Sequence, residues 1–531
     1  MAPDPRRATV GVVNVLRMFV PFSVTDFLDR AATVYGDRIG VVDEPSQPAP
    51  SQGSLTYSQV ADLASRQAAR LDELGIGVGE RIAVVSHNSS RLLTSFYGVS
   101  GWGRVLVPIN FRLRPDEVRY IIEDSGARVL YIDPELADEL ADVECEHKFV
   151  LGDDADLYAA PGAVPVSWDP DESATAAINY TSGTTARPKG VQITHRNIWV
   201  NAVTFGLHAA AGDRDVYLHT LPMFHANGWG QPFAMTGVGA QHIVLRKIDG
   251  AEILRRVRDH GVTVMCAAPA VAAAVLDAAR TWEGEIPGRD TVRIIMAGAP
   301  PPTKTVARVE RELGWEFIQI YGLTETSPLL TFNRTRAEWD DLDPEERAAK
   351  LTRAGAPALG VRLSVDDAAE GAGEVLARSN VVMEGYWGRP EESAAALADG
   401  WFHTGDGGDI GEDGYLTIAD RKKDVIITGG ENVSSIEVED CLFSHPAVSE
   451  VAVIGVPSEK WGETIKALVV PAPDSAVTEG ELIAWCKERL AGYKAPTTVE
   501  FREELARTAT GKLQKFKLRQ AYWDGYGRAV N

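Results

Sequence analysis

Cysteine is scarce in this chain. There are four in 531 residues, Cys145, Cys266, Cys441 and Cys486. None stands in a Cys-x-x-Cys or other metal-ligand spacing. So thin a set excludes a disulfide scaffold and predicts a reduced compartment, the cytoplasm. Long apolar runs are lacking as well. The most apolar stretch, Val262 to Leu276, is shorter than a membrane span, and Pro269 divides it. It reads as a strand (Val262–Cys266) feeding a helix (Ala270–Ala279), so a soluble protein with no membrane span is expected. Near the start, Arg6 and Arg7 precede a short apolar run that Asn14 and Arg17 interrupt. No small-residue cleavage site follows clearly, and no targeting segment is expected. Positive charge is in deficit: 53 basic against 75 acidic residues leave −22. An acidic surface repels phosphate backbones, which makes nucleic acid a poor partner. Internal repeats and low-complexity tracts are absent too.

What remains is ordinary globular composition, 45% hydrophobic and 24% charged. At about 150 residues per domain the length suits roughly three or four domain-sized units. The first half alternates between the two structural periods. Phe27, Leu28, Ala31 and Tyr35 share a helical face, and Ser23 with Asp26 resembles a capping box. Val60, Leu63, Ala64, Leu71 and Leu74 mark a second helix that stops at Gly75. Strands are expected at Arg81–Ser86, Arg128–Ile132, Val292–Ala297 and Glu316–Ile320, with a helix from Pro115 to Ser125. This alternation predicts layered α/β architecture with largely parallel sheets. After about residue 355 strands shorten and glycines cluster, as in Asp366–Gly373 and Gly405–Gly414, which predicts a β-rich subdomain. A charged stretch, Asp420 to Asp424, then precedes a compact α+β segment. Its strands are expected at Glu450–Val456 and Ile465–Val470, with a helix from Glu479 to Leu490. The boundary falls near Lys423, giving units 1–422 and 423–531.

Four stretches carry chemistry. Tyr180 to Gly190 (YTSGTTARPKG) packs five hydroxyls, two glycines and Lys189 into eleven residues. Hydroxyls and loop N–H groups can wrap phosphate oxygens, and a lysine adds a point charge. It is neither a Walker A loop nor a Gly-x-Gly-x-x-Gly fingerprint. Tyr321-Gly-Leu-Thr-Glu325 follows an apolar strand, at the strand end where open α/β sheets hold ligands. There an aromatic ring can stack on a base, a threonine can bond a phosphate and a carboxylate can hold Mg2+. Gly400 to Asp406 (GWFHTGD) ends in a carboxylate suited to vicinal ribose hydroxyls. Arg507 to Lys512 (RTATGK) places a lysine on a glycine-containing loop that domain motion could deliver. Taken singly, the four also suit a polar turn, a strand end, a turn aspartate and a basic tail.

Taken together and in this order, the set resembles the adenylate-forming superfamily of acyl-CoA ligases, peptide adenylation domains and beetle luciferase. The resemblance covers nearly the whole chain. Tyr180–Gly190 is similar to that family's phosphate loop, with Ala186 where glycine is usual. Pro222-Met-Phe-His225 resembles the motif before the acyl pocket, and Gly298-Ala299-Pro300 the adenine-contacting turn. Asp420 to Lys423 resembles the hinge, and Gly429-Gly430-Glu431-Asn432 the loop beside the CoA tunnel.

The resemblance implies a large N-terminal domain and a small mobile lid carrying Lys512. It implies two half-reactions, acyl-AMP formation from ATP with release of pyrophosphate, then transfer to CoA. Thr181, Ser182, Gly183, Thr184, Thr185 and Lys189 would then surround the β/γ-phosphates. Tyr321, beside Gly322, would stack on adenine. Thr324 would bond the α-phosphate, and Glu325 with Thr184 would hold Mg2+. Asp406 and Arg421 would hold the ribose. Lys512 would bridge the attacking carboxylate and the nucleotide, its charge offsetting repulsion between two anions. Lys423 would be the hinge, and Gly429, Gly430 and Glu431 would line the pantetheine path. ATP, Mg2+ and CoA are thus the implied cofactors, a small carboxylate the partner, and a homodimer a compatible assembly.

The stretch His219 to Gly230 (HTLPMFHANGWG) resembles a branch holding bacterial medium-chain CoA ligases and plant acyl-activating enzymes. A short- to medium-chain or aryl carboxylate is expected, with His225, Asn227, Gly228, Trp229 and Ala297 at the pocket and His225 also a catalytic candidate beside Lys512, Thr324 and Glu325. His225 also fits a satisfied structural histidine. Competing readings are an adenylating enzyme whose acceptor is a carrier protein or an amine, and one that activates nitrite for diazotisation. A scaffold that has lost catalysis is disfavoured, because Lys512, Glu325 and Asp406 are all present.

Overall fold

A computed structural model describes residues 18–181, 187–298, 301–366, 373–421, 426–428, 431–458, 461–473, 475–507 and 513–523. Two large sheets organise the chain up to about residue 400. The first has nine strands, in the order Ala356–Pro357, Thr331–Asn333, Glu316–Tyr321, Arg293–Met296, Val264–Ala267, Val216–His219, Gln241–Val244, Ile39–Val42 and Ser54–Thr56. Its six central strands run parallel. The second has seven: Gly385–Tyr386, Lys189–Thr194, Thr175–Thr181, Val105–Ile109, Arg81–Val85, Ala127–Ile132 and His147–Val150.

Strand alternation explains how helices cover both faces of each sheet. In Arg81–Val85, Ile82 and Val84 join one core while Ala83 and Val85 join another. Side chains alternate across a strand, so a run apolar throughout must be buried on both sides. The core holding Ile82 also takes Phe27, Val60 and Phe96 from helices Thr25–Tyr35, Tyr57–Glu73 and Ser90–Gly98. The second helix has a full capping box between Thr56 and Gln59. The box expected at Ser23 is half formed. Asp26 accepts the Ser23 N–H at 3.2 Å, but Ser23 Oγ accepts from the Thr25 N–H rather than from the third residue of the helix.

The expected β-rich subdomain is a four-stranded antiparallel sheet of Arg362–Val365, Gly373–Arg378, Phe402–Ile410 and Leu416–Arg421. The C-terminal unit is a five-stranded sheet in which the long hairpin Val448–Ser458/Gly462–Pro471 packs on helices Ser435–Phe443 and Glu479–Arg489. Asp440 on the first of these helices reaches the preceding part of the chain and accepts from Thr303 N at 2.9 Å and Thr303 Oγ1 at 3.1 Å. Among the described residues no helix is long and apolar enough to cross a membrane.

Candidate active site

Strand ends from three sheets converge on the expected nucleotide residues. Tyr321 is the last residue of its strand, and its hydroxyl donates to Asp406 Oδ2 at 2.8 Å. Asp406 is 6% exposed. Its N–H donates to Thr404 Oγ1 at 3.1 Å, and Thr404 donates in turn to Val375 O at 2.7 Å. Arg421 is the register partner of Asp406 on the adjacent strand. The base-stacking candidate therefore meets Asp406, although the two lie 85 residues apart, and Arg421 stands beside Asp406 in strand register.

The turn after Tyr321 tolerates only glycine at its first position. A Cβ on Gly322 would stand 1.5 Å from Pro328 O. Leu323 N donates to Thr326 Oγ1 at 2.9 Å, which closes a single helical turn over Thr324–Thr326. That turn carries Thr324 and Glu325, and the Glu325 carbonyl accepts from Met383 N at 2.8 Å. Ala297 is buried beyond the strand Arg293–Met296, and Gly298 takes a left-handed φ of +95°. Ala299 and Pro300 lie outside the described residues.

The phosphate stretch is flanked by two antiparallel strands. Thr181 and Lys189 are register partners, as are Tyr180 and Gly190. Ser182, Gly183, Thr184 and Thr185 lie outside the described residues. Tyr180 anchors the strand pair by donating to Asp124 Oδ2 at 2.7 Å, while Arg389 Nη2 donates to Asp124 Oδ1 at 3.1 Å. Burial and then the Asp124 carboxylate push the Tyr180 phenol far up, which keeps it a donor. Lys189 forms an ion pair with Glu392 and lies 5.1 Å from the centre of the Tyr386 ring. Tyr386 donates its hydroxyl to Glu325 Oε1 at 3.0 Å. Burial and the same carboxylate raise its phenol as well.

The acyl-side residues form an unusual backbone segment. Ala226, Asn227, Gly228, Trp229 and Gly230 have φ of 45°, 52°, 59°, 59° and 78°, all left-handed. For a non-glycine residue this costs roughly 1–2 kcal/mol, so surrounding contacts must hold the turn. Asn179 Nδ2 donates to Asn227 Oδ1 at 3.1 Å and to Phe224 O at 3.3 Å. Asn201 Nδ2 donates to Trp229 O at 3.3 Å. Asn88 donates to His219 O and Leu221 O at 3.0 and 2.8 Å and accepts from Met223 N at 2.7 Å. Trp229 and Ala226 pack in an apolar cluster with Cys266 and Ala297, and half-buried His225 heads the turn. Asn88, Asn179 and Asn201 belong to none of the sequence motifs. For Asn179 and Asn201 the available signal was a polar amide inside an apolar strand or helix, which must find partners when buried, whereas Asn88 sits in a polar loop that carries no such signal.

On the C-terminal side Glu431 opens the strand Glu431–Val433. Gly429, Gly430, Lys423 and Lys512 lie outside the described residues.

This site defines an adenylate-forming enzyme, and the comparisons agree. Residues 28–387 match the AMP-binding enzyme family, and residues 437–512 match the AMP-binding enzyme C-terminal domain. The chain belongs to that family and is an AMP-forming ligase. It is 38% identical to a 2-methylpropanoate–CoA ligase of Humulus lupulus, over 94% of this chain and 95% of that protein. It is 38% identical to a 4-hydroxybutyrate–CoA ligase of Metallosphaera sedula, over 93% of each. An anthranilate–CoA ligase crystallised with anthranoyl-AMP superposes with TM-score 0.83 at 27% identity, covering 95% of this chain and 98% of that one. The O-succinylbenzoate–CoA synthetase of Bacillus subtilis with ATP and magnesium gives TM-score 0.79 at 28% identity, covering 93% and 99%.

Proposed function

We propose that this chain is an ATP-dependent acid–CoA ligase for a short- to medium-chain or aryl carboxylate. The observation that carries the acid class is the left-handed turn at 226–230, which packs Trp229 against Ala226 and Ala297 beside the nucleotide strands. The 2-methylpropanoate, 4-hydroxybutyrate and anthranilate ligases among the relatives act on acids of that size.

In this reading Tyr321 stacks on adenine, while Asp406 and Arg421 hold the ribose. Thr181, Ser182, Thr184, Thr185 and Lys189 hold the β/γ-phosphates, and Thr324 bonds the α-phosphate. The substrate carboxylate oxygen attacks the α-phosphorus and pyrophosphate leaves. Lys512 neutralises the two anions as they meet. Chemistry of this kind is chiefly positioning and electrostatics. The unit beginning at Lys423 then turns, withdraws Lys512 and brings Gly429 to Glu431 to the pantetheine path. The thiol of CoA attacks the acyl carbon and AMP leaves. Magnesium fits this donor set. Glu325 offers a carboxylate, and no cluster of three or more acidic, His or Cys side chains stands ready to cage a metal among the described residues. A hard ion that draws most ligands from phosphate and water needs no more. When bound it neutralises phosphate charge. The four free cysteines suit a reducing compartment, which we take as the cytoplasm.

The test is AMP release across short and medium fatty acids, benzoates, amino acids and nitrite with an aryl amine, with and without CoA. Release that requires both an organic acid and CoA supports the reading. Release indifferent to CoA moves the question to a carrier protein or an amine. ADP in place of AMP refutes it.

A further inference from the structure

We propose that Glu392 is the resting counter-ion of Lys189, and that nucleotide binding exchanges its carboxylate for the β/γ-phosphates of ATP. Glu392 is therefore a positioning residue that tunes ATP against AMP. The inference rests on the reading above that Lys189 takes those phosphates. The geometry comes from four elements. Lys189 opens the strand Lys189–Thr194 on the far side of the phosphate stretch. Tyr386 pairs with Val191 on that same strand, so its ring is held beside the lysine stem. The Lys189 ammonium lies 5.1 Å from the ring centre and forms its ion pair with Glu392 on helix Pro390–Ala396. Ser393 fixes that helix to the strand, with Tyr386 N donating to Ser393 Oγ at 2.8 Å and Ser393 Oγ donating to Arg389 O at 2.7 Å. Beyond the ring, the Tyr386 hydroxyl binds Glu325.

Two features make Glu392 exchangeable and not a permanent brace. The pair is open to solvent, Lys189 being 25% and Glu392 43% exposed. An exposed ion pair is worth only a small equilibrium factor, about two- to fivefold. A triphosphate brings more charge and more oxygens to the same ammonium, and charge-assisted bonds to it are the stronger ones. Meanwhile the Tyr386 ring keeps Lys189 in place by cation–π attraction while its partner changes. A carboxylate that must be displaced lowers apparent ATP affinity by the strength of the pair it gives up. AMP, which has no β- or γ-phosphate, escapes that toll.

The experiment measures ATP and AMP dissociation constants by calorimetry on the full chain, without acid or CoA, for wild type, Glu392→Gln, Glu392→Asp and Lys189→Ala. Thermal melts confirm that each variant is folded. Glu392→Gln is expected to tighten ATP about two- to fivefold and leave AMP unchanged, and Glu392→Asp to restore wild-type values. Lys189→Ala is expected to weaken ATP but not AMP. Should Lys189→Ala weaken ATP selectively while Glu392→Gln leaves ATP unchanged or weaker, the counter-ion role is wrong and the phosphate role of Lys189 stands. Should Lys189→Ala leave the ratio of ATP to AMP affinity unchanged, the underlying reading of Lys189 fails first. An equal loss of ATP and AMP affinity in Glu392→Gln would mark a structural brace and overturn the proposal.

Discussion

Acid should loosen this fold through a buried chain of side chains behind the acyl-side loop. His219 Nε2 and His242 Nδ1 lie 3.0 Å apart, and His242 Nε2 lies 3.0 Å from Thr236 Oγ1. Both rings are wholly buried, at 2% and 0% exposure. Burial pulls His242 down to about 3 and His219 well below the ordinary 6.5, with the neighbouring ring adding to the second. His195, whose Nε2 finds no partner, falls to about 4 for the same first reason. These folded-state values are depressed, so the stability they represent is present above 6.5 and is lost as pH falls toward the folded value. The unfolded chain takes up a proton on each ring below 6.5 and the folded chain does not. Between pH 7 and pH 5 His242 and His195 therefore cost about 2 kcal/mol each, and His219 adds to the loss in the same direction. That is a large share of a whole domain's stability, about 5–15 kcal/mol. The assay is urea unfolding of wild type and His242→Gln at both pH values. The variant starts lower, because it breaks a buried hydrogen-bond chain. Its further loss on going to pH 5 should nonetheless be smaller than wild type's by about 2 kcal/mol. The comparison cancels the carboxylates common to both proteins. Equal losses in the two proteins would show that His242 titrates in the fold and would refute the reasoning.

Three further outcomes follow from the site. Tyr321→Phe keeps the ring but removes the donor to buried Asp406. Its loss leaves a buried carboxylate short of a donor and free to shift, so AMP and ATP affinity should both fall in calorimetry. Gly322→Ala must move the turn, because its Cβ would meet Pro328 O. Adenylation, followed by acid-dependent pyrophosphate exchange, should be lost more completely than with Tyr321→Phe. Lys512→Ala should abolish acyl-AMP formation yet still form thioester from supplied acyl-AMP and CoA. Equal loss of both steps would remove its assigned role.

Much of the fold was legible along the chain, because its signals are local. The helix Pro115–Ser125 begins at the proline and ends at Gly126, which is left-handed at φ 62°. The helix expected to stop at Gly75 ends at Glu73. Strands expected at Arg81, Arg128 and Glu316 are present within a residue or two. The candidate motifs stood out for a related reason. A loop that wraps phosphate must place its hydroxyls, glycines and lysine on a few consecutive residues, so the chemistry appears as a contiguous motif. The half-formed box at Ser23 shows the limit even there. Residue types allow a cap, but the Ser23 hydroxyl turns to Thr25 instead.

The sequence by itself determined the alternation of helix and strand, the apolar faces and the four motifs, since each depends on neighbours within a turn or a strand. Tertiary structure alone decided what those motifs touch. Tyr321 and Asp406 meet because a strand of one sheet ends against the middle of a strand in another. The left-handed turn at 226–230 leaves no periodicity to read. It is held by Asn179 and Asn201, from a strand and a helix, and its approach by Asn88. The His219–His242 chain and the Lys189–Glu392 pair depend likewise on partners brought in from distant segments. A buried amide, a strained turn or a neutral histidine persists only where such partners satisfy it, and that is a property of packing in three dimensions.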